Sequence, residues 1–128
     1  MVIHLGLVND ICLKKNVIKA LHAMSFQKLR ATSVYRQSLL PFVVSLQDHD
    51  ILIAIGEAGE LNTLLGYKQL SLLRLASPTT LQRRLKSLLG KNLIEKQNFR
   101  DDGRRVSYTL SHKTLVAYEN YIAHVLKD

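Results

Sequence analysis

Two clusters of hydrogen-bonding side chains stand out along the chain, a short distance apart. The first runs Ser77, Pro78, Thr79, Thr80, Leu81, Gln82, Arg83, Arg84, Leu85, Lys86, and its leucines continue at Leu88. Leu81, Leu85 and Leu88 recur at helical spacing and form one apolar stripe. With side chains turning about 100° per residue, Thr79, Arg83 and Lys86 project away from that stripe, flanked by Thr80 and Gln82. Arginine can bond guanine bidentately, glutamine can bond adenine, and threonine can donate to a phosphate or meet a thymine methyl group. The second cluster brackets Asp101, Asp102 and Gly103 with Arg100, Arg104 and Arg105. An acidic pair before glycine is a strong turn signal, so the guanidinium groups are expected at the tip of a projecting ribbon, suited to a narrow, negative minor groove. Asp102 is expected to pair with Arg104 or Arg105 and orient it. Taken alone, the first cluster is also what an ordinary solvated helix face looks like.

Charge supports a polyanionic partner. The net charge is +8, and the segment from Arg74 to Lys113 holds ten Lys or Arg against three acids, whereas Asp48 to Leu65 holds four acids and no Lys or Arg. Such segregation fits a face that meets nucleic acid, and fits a basic solvated surface equally well on charge alone. Nothing points to catalysis: there is no glycine-rich phosphate loop, nucleophile elbow or zinc-protease motif, and the acids form no helix-facing pair outside the turn. The five histidines, His4, His22, His49, His112 and His124, lack ligand spacing, so neither a metal nor another cofactor is expected. Cys12 is the single cysteine and can form no internal disulfide.

The elements that must position these clusters follow from periodicity and caps. At 128 residues, 47% hydrophobic, 22% charged and only 6% aromatic, the chain suits one α-rich domain with an aliphatic core. A helix is expected from Asn16 to about Ala31. Apolar residues continue from Ser33 to Ser45, where Pro41 marks a kink or a helix start. Asp48 is read as the cap of a short buried helix ending at Gly56 or Gly59, and Tyr67 to Ala76 as a compact helical stretch. Ser77-Pro78 is a strong start signal, because serine accepts from free N–H groups and proline at the first helical position needs no bond; that helix should run to about Lys91. Two strands, Leu93–Phe99 and Arg105–Leu110, flank the acidic-glycine turn, and a last helix opened by Ser111 should span His112 to Leu126. Core packing is the expected role of Tyr35, Tyr67, Tyr118 and Tyr121. No apolar run approaches the ~20 residues a membrane span requires, and the N-terminal lysines follow the apolar run, the reverse of a secretory signal. A cytoplasmic protein is expected.

Helix, turn, helix and β-hairpin in that order make a winged helix-turn-helix, mainly α with a small β-hairpin wing, flanked by N- and C-terminal helices. The stretch SPTTLQRRLKSLLGKNLIEKQNFRDDGRRVSYTLS resembles the DNA-binding core of the MarR family of bacterial winged-helix regulators. Asp102, Arg104 and Leu110-Ser111 stand at the family's wing spacings, with serine in place of threonine. Asn92 replaces the glycine that usually precedes the first wing leucine, and asparagine can also take the left-handed conformation that ends a helix. The resemblance implies a homodimeric transcriptional regulator that binds double-stranded DNA, represses by occlusion and is released by a small molecule. On that reading Ser77, Thr79, Thr80, Gln82, Arg83, Lys86, Arg100, Arg104 and Arg105 meet DNA. The implied segments are 1–47 for dimerisation, 48–111 for the winged helix-turn-helix, and 112–128 as a C-terminal helix available for dimerisation. Some members of the family sense peroxides through an N-terminal cysteine, against which a buried, inert Cys12 is the simpler account. The alternative function is a winged-helix module that binds another protein, or serves a replication or plasmid-maintenance complex.

Overall fold

A computed structural model describes residues 11–98 and 106–127, with side chains from residue 25 onward. Among the described residues, five helices and two paired strands follow in the order α1 (Ile11–Leu39), α2 (Leu46–Glu60), α3 (Tyr67–Leu72), α4 (Pro78–Gly90), β1 (Ile94–Asn98), β2 (Val106–Leu110) and α5 (His112–Lys127). This is a winged helix-turn-helix with a long helix before it and one after it. The expected turn at 101–103 and any structure in the first ten residues lie outside the described residues.

Local chemistry explains most boundaries. Ser77 caps α4 by accepting from the Thr80 N–H, and Pro78 occupies the first turn. At the other end Asn92 sits at φ 59°, while the Leu93 and Asn92 N–H groups return to the Leu88 and Leu89 carbonyls. That is a left-handed cap with asparagine doing what glycine usually does. The Lys113 ammonium adds a bond to the Lys91 carbonyl, placing a cation at the negative end of the helix. Ser111 opens α5 as expected, its hydroxyl accepting from the Thr114 N–H and contacting the Thr114 hydroxyl, with both residues buried.

Four expectations are corrected. The helix read as ending near Ala31 continues unbroken to Leu39, because nothing from Ala31 to Leu39 interrupts it. Pro41 neither kinks nor starts a helix; it lies in the turn linking α1 to α2. Asp48 is not the cap of α2: Ser45 is, accepting from the Asp48 N–H at 3.1 Å, which frees the Asp48 carboxylate for another partner. The helix also passes Gly56 and Gly59 and ends where Asn62 turns left-handed at φ 54°, with Thr63 and Asn62 N–H groups returning to the Ala58 and Gly59 carbonyls.

One core holds these parts together. Leu40, Ile51, Leu52, Ile55, Leu70, Leu81, Leu85, Leu88, Leu93 and Ile94 are buried along with Tyr118 and Tyr121. Each fully buried aliphatic side chain contributes about 1.5–3 kcal/mol. The two strands pair antiparallel with Ile94 opposite Leu110 and Asn98 opposite Val106. Tyr35 of α1 stacks obliquely on His124 of α5, at 5.4 Å between ring centres, along the seam of the first and last helices.

Candidate nucleic-acid interface

Leu81, Leu85 and Leu88 anchor α4, and this decides which of its side chains remain available. The stripe is buried as its spacing requires, and Thr79, Gln82, Arg83 and Lys86 are all exposed on the remaining arc. Exposed cations and an amide on the outer arc of a helix can enter a major groove, and the positive end of the helix dipole near Pro78 adds a local field of the same sign. Ser77 and Thr80 differ from the other four. The Ser77 hydroxyl donates to the Thr80 hydroxyl at 3.0 Å while accepting from the Thr80 N–H, so both side chains are committed to starting the helix. Arg100, Asp102, Arg104 and Arg105 lie outside the described residues.

The base of the wing is fixed. The Tyr108 N–H donates to the Leu65 carbonyl at 2.9 Å, tying β2 to the loop before α3. Gly66 begins that helix against the same strand, where a Cβ would lie 2.8 Å from the Val106 carbonyl oxygen. No other residue fits without moving one of the two backbones. The Gly66 N–H is held by the Gln69 side chain at 3.0 Å, and Tyr67 reaches the Pro78 carbonyl from across the turn. Between α3 and α4 the turn passes through Arg74 at φ 55°, a left-handed conformation that glycine occupies without strain.

Arg84, which no sequence signal singles out, is the most firmly held polar side chain on α4. It lies about 60° from the leucine stripe, at the border between core and solvent. Its Nε and Nη2 donate to the two carboxylate oxygens of Asp48 at 2.6 and 2.5 Å, with Asp48 fully buried and the Arg84 side chain 20% exposed. These bonds push the Arg84 guanidinium above its ordinary range. The fork-to-fork geometry fixes α4 in rotation as well as distance against the first turn of α2. Arg83, the adjacent residue, is thereby aimed outward. Asp48 and Arg84 are 36 positions apart, and no local pattern links them.

A chain of polar contacts leads away from this pair. Next to Asp48, the His49 Nδ1 lies 2.9 Å from the Tyr118 hydroxyl of α5. Burial, followed by the nearby Arg36, lowers the His49 pKa, and burial pushes the Tyr118 phenol up. The phenol therefore keeps its proton, and the bond runs from phenol to imidazole or the reverse according to the tautomer of His49. His49, Tyr118 and Tyr121 form one aromatic cluster with ring centres 5.7 to 6.1 Å apart. Tyr118 and Tyr121 are packed as core, while Tyr35 and Tyr67 lie partly buried against it. Among the described residues, no group of three or more His, Cys, Asp or Glu is placed to hold a metal ion, and no helix is long and apolar enough to cross a membrane.

The sequence matches no protein-family model and no curated protein. Solved structures do match. Wild-type MarR from E. coli in its apo form is similar over 98% of this chain and 78% of that one, with a TM-score of 0.56 and 18% sequence identity. A cysteine-to-serine mutant of the same MarR gives the same figures. The chain therefore has a MarR-like fold, a winged helix set between terminal helices.

Proposed function

We propose that the protein is a sequence-specific transcriptional regulator that binds double-stranded DNA, with α4 as the recognition helix. The observation that carries this reading is the outward arc of Thr79, Gln82, Arg83 and Lys86 on a helix locked to the core by three buried leucines and the Asp48–Arg84 pair. The MarR-like fold and the segregated +8 charge support it. In the proposed complex these four side chains read base edges, Ser77 and Thr80 present the helix N-terminus to a phosphate, and Arg100, Arg104 and Arg105 of the wing reach the neighbouring minor groove with Asp102 orienting them.

Residues 48–111 form the DNA-binding unit in this proposal, and residues 1–47 and 112–128 the pairing unit of a homodimer. Exposed apolar side chains on the two terminal helices favour pairing: Phe26 and Leu29 on α1 are 74% and 61% exposed, and Leu126 on α5 is 78% exposed. Two copies would set their recognition helices in successive major grooves, about 34 Å apart, and repress by covering a promoter. A small-molecule effector acting between the helical seam and the DNA-binding unit would release it. As a non-enzymatic DNA-binding protein it would work in the cytoplasm.

Selection from a random duplex library by the purified protein tests the reading. Enrichment of a two-fold related sequence, bound with an affinity that falls steeply with salt, is the expected result. Binding no stronger than that of any similarly basic protein would favour a protein-interaction module instead.

A further inference from the structure

Between α2, β2 and α5 lies a cavity of about 630 Å³, within the range of small-molecule sites. Leu52, Ile55 and Leu110 line it together with the buried tyrosines Tyr118 and Tyr121. Its remaining charged lining is of one sign: Glu57 and Glu60, one helical turn apart on α2, and Glu119 across from them on α5, with no Lys or Arg among the described lining residues. This is the reverse of the protein's overall charge of +8.

Two glycines of α2 line the cavity, Gly56 in the helix interior and Gly59 in its last turn, and glycine is a costly choice in a helix. Gly56 has a packing reason, since a Cβ there would come within 3.2 Å of Leu110. Gly59 has none: nothing lies within 4 Å of where its Cβ would be, and it lines the cavity. Thr109 contributes to the same wall, and its hydroxyl is buried with no hydrogen-bond partner.

We propose that this cavity binds a small lipophilic cation, its apolar body against the leucines and its charge among Glu57, Glu60 and Glu119, with the tyrosine rings adding cation–π attraction. An anionic aromatic ligand would meet three carboxylates and no cation among the described lining residues. The inference deepens the effector part of the function proposed above, because Tyr118 in the cavity wall bonds His49, whose neighbour Asp48 holds Arg84 on the recognition helix. Cation binding is nevertheless measured without DNA, so either reading can fail alone.

The test is calorimetric titration of the full chain with tetraphenylphosphonium, and with tetraphenylborate as the anion of the same shape. Saturable phosphonium binding is expected, weakened about tenfold when Glu57→Gln, Glu60→Gln and Glu119→Gln are combined on these exposed positions. Gly59→Leu, which fills the cavity while favouring the helix, should weaken it as well. Absence of phosphonium binding, or binding indifferent to the three glutamine substitutions, overturns the proposal. A loss of self-association by Gly59→Leu in sedimentation overturns it too, by showing that a second copy occupies the cavity.

Discussion

Replacing Arg84 with alanine leaves the Asp48 carboxylate with no cation in a place that water does not reach. Asp48 is fully buried, and the guanidinium supplies both of its side-chain hydrogen bonds. An uncompensated buried charge costs about 3–5 kcal/mol, whereas the converse change, Asp48→Ala, leaves an arginine that is already 20% exposed and can turn toward solvent. The converse loss should be about 1.5–3 kcal/mol, the worth of hydrogen bonds to charged groups. Arg84→Ala should therefore destabilise more than Asp48→Ala, and the double substitution Asp48→Leu with Arg84→Met should recover much of the loss. Urea unfolding followed by far-ultraviolet circular dichroism measures all three, and Arg84→Ala should also lower Tm by roughly 10–20 °C. A cost below about 0.5 kcal/mol for Arg84→Ala, the level of an exposed ion pair, would refute the reasoning. So would a reversed order of the two single substitutions.

Gly66→Ala should destabilise by roughly 1–3 kcal/mol and disturb the wing, because the new Cβ would meet the Val106 carbonyl oxygen at 2.8 Å; thermal melts and the amide shifts of β2 report it. Arg74→Gly should stabilise by roughly 0.5–1 kcal/mol by relieving the left-handed φ of 55°, an effect read as a raised urea midpoint. Acidification should weaken the fold through His49. Its folded pKa is lowered by burial and then by Arg36, so between that value and the unfolded one of about 6.5 the unfolded chain binds more protons. The stability it contributes is whole above pH about 6.5 and is lost as pH falls through the folded value. His49→Gln should flatten that decline in urea titrations between about pH 7.5 and pH 5.

The parts of the fold that were legible carry their instructions locally. Ser77-Pro78 starts α4, Asn92 ends it, Ser111 starts α5, and the leucine stripe declares which face of α4 is buried; each signal acts within about one turn of helix. The exposure of Thr79, Gln82, Arg83 and Lys86 was likewise legible from that stripe, whereas the bond between Ser77 and Thr80 was not. Other features depend on distant partners. Asp48 looked like a cap because its type suits one, and only the presence of Ser45 three residues earlier, with Arg84 36 positions later, gives it a different task. The end of α2 was misplaced because Asn62, not a glycine, supplies the left-handed residue. The acidic cavity joins residues from α2 and α5 that share no sequence pattern.

The central claim is that α4 reads DNA through its exposed arc. The most direct measurement is fluorescence anisotropy of a duplex enriched from the random library, titrated across a salt series with wild type, Arg83→Ala and Gln82→Ala. Both substitutions should weaken binding of the enriched duplex by about 1–3 kcal/mol relative to scrambled sequence, with wild-type stability retained since both side chains are exposed. If both variants bind the enriched and scrambled duplexes as wild type does, α4 is not the reading element and the account is contradicted.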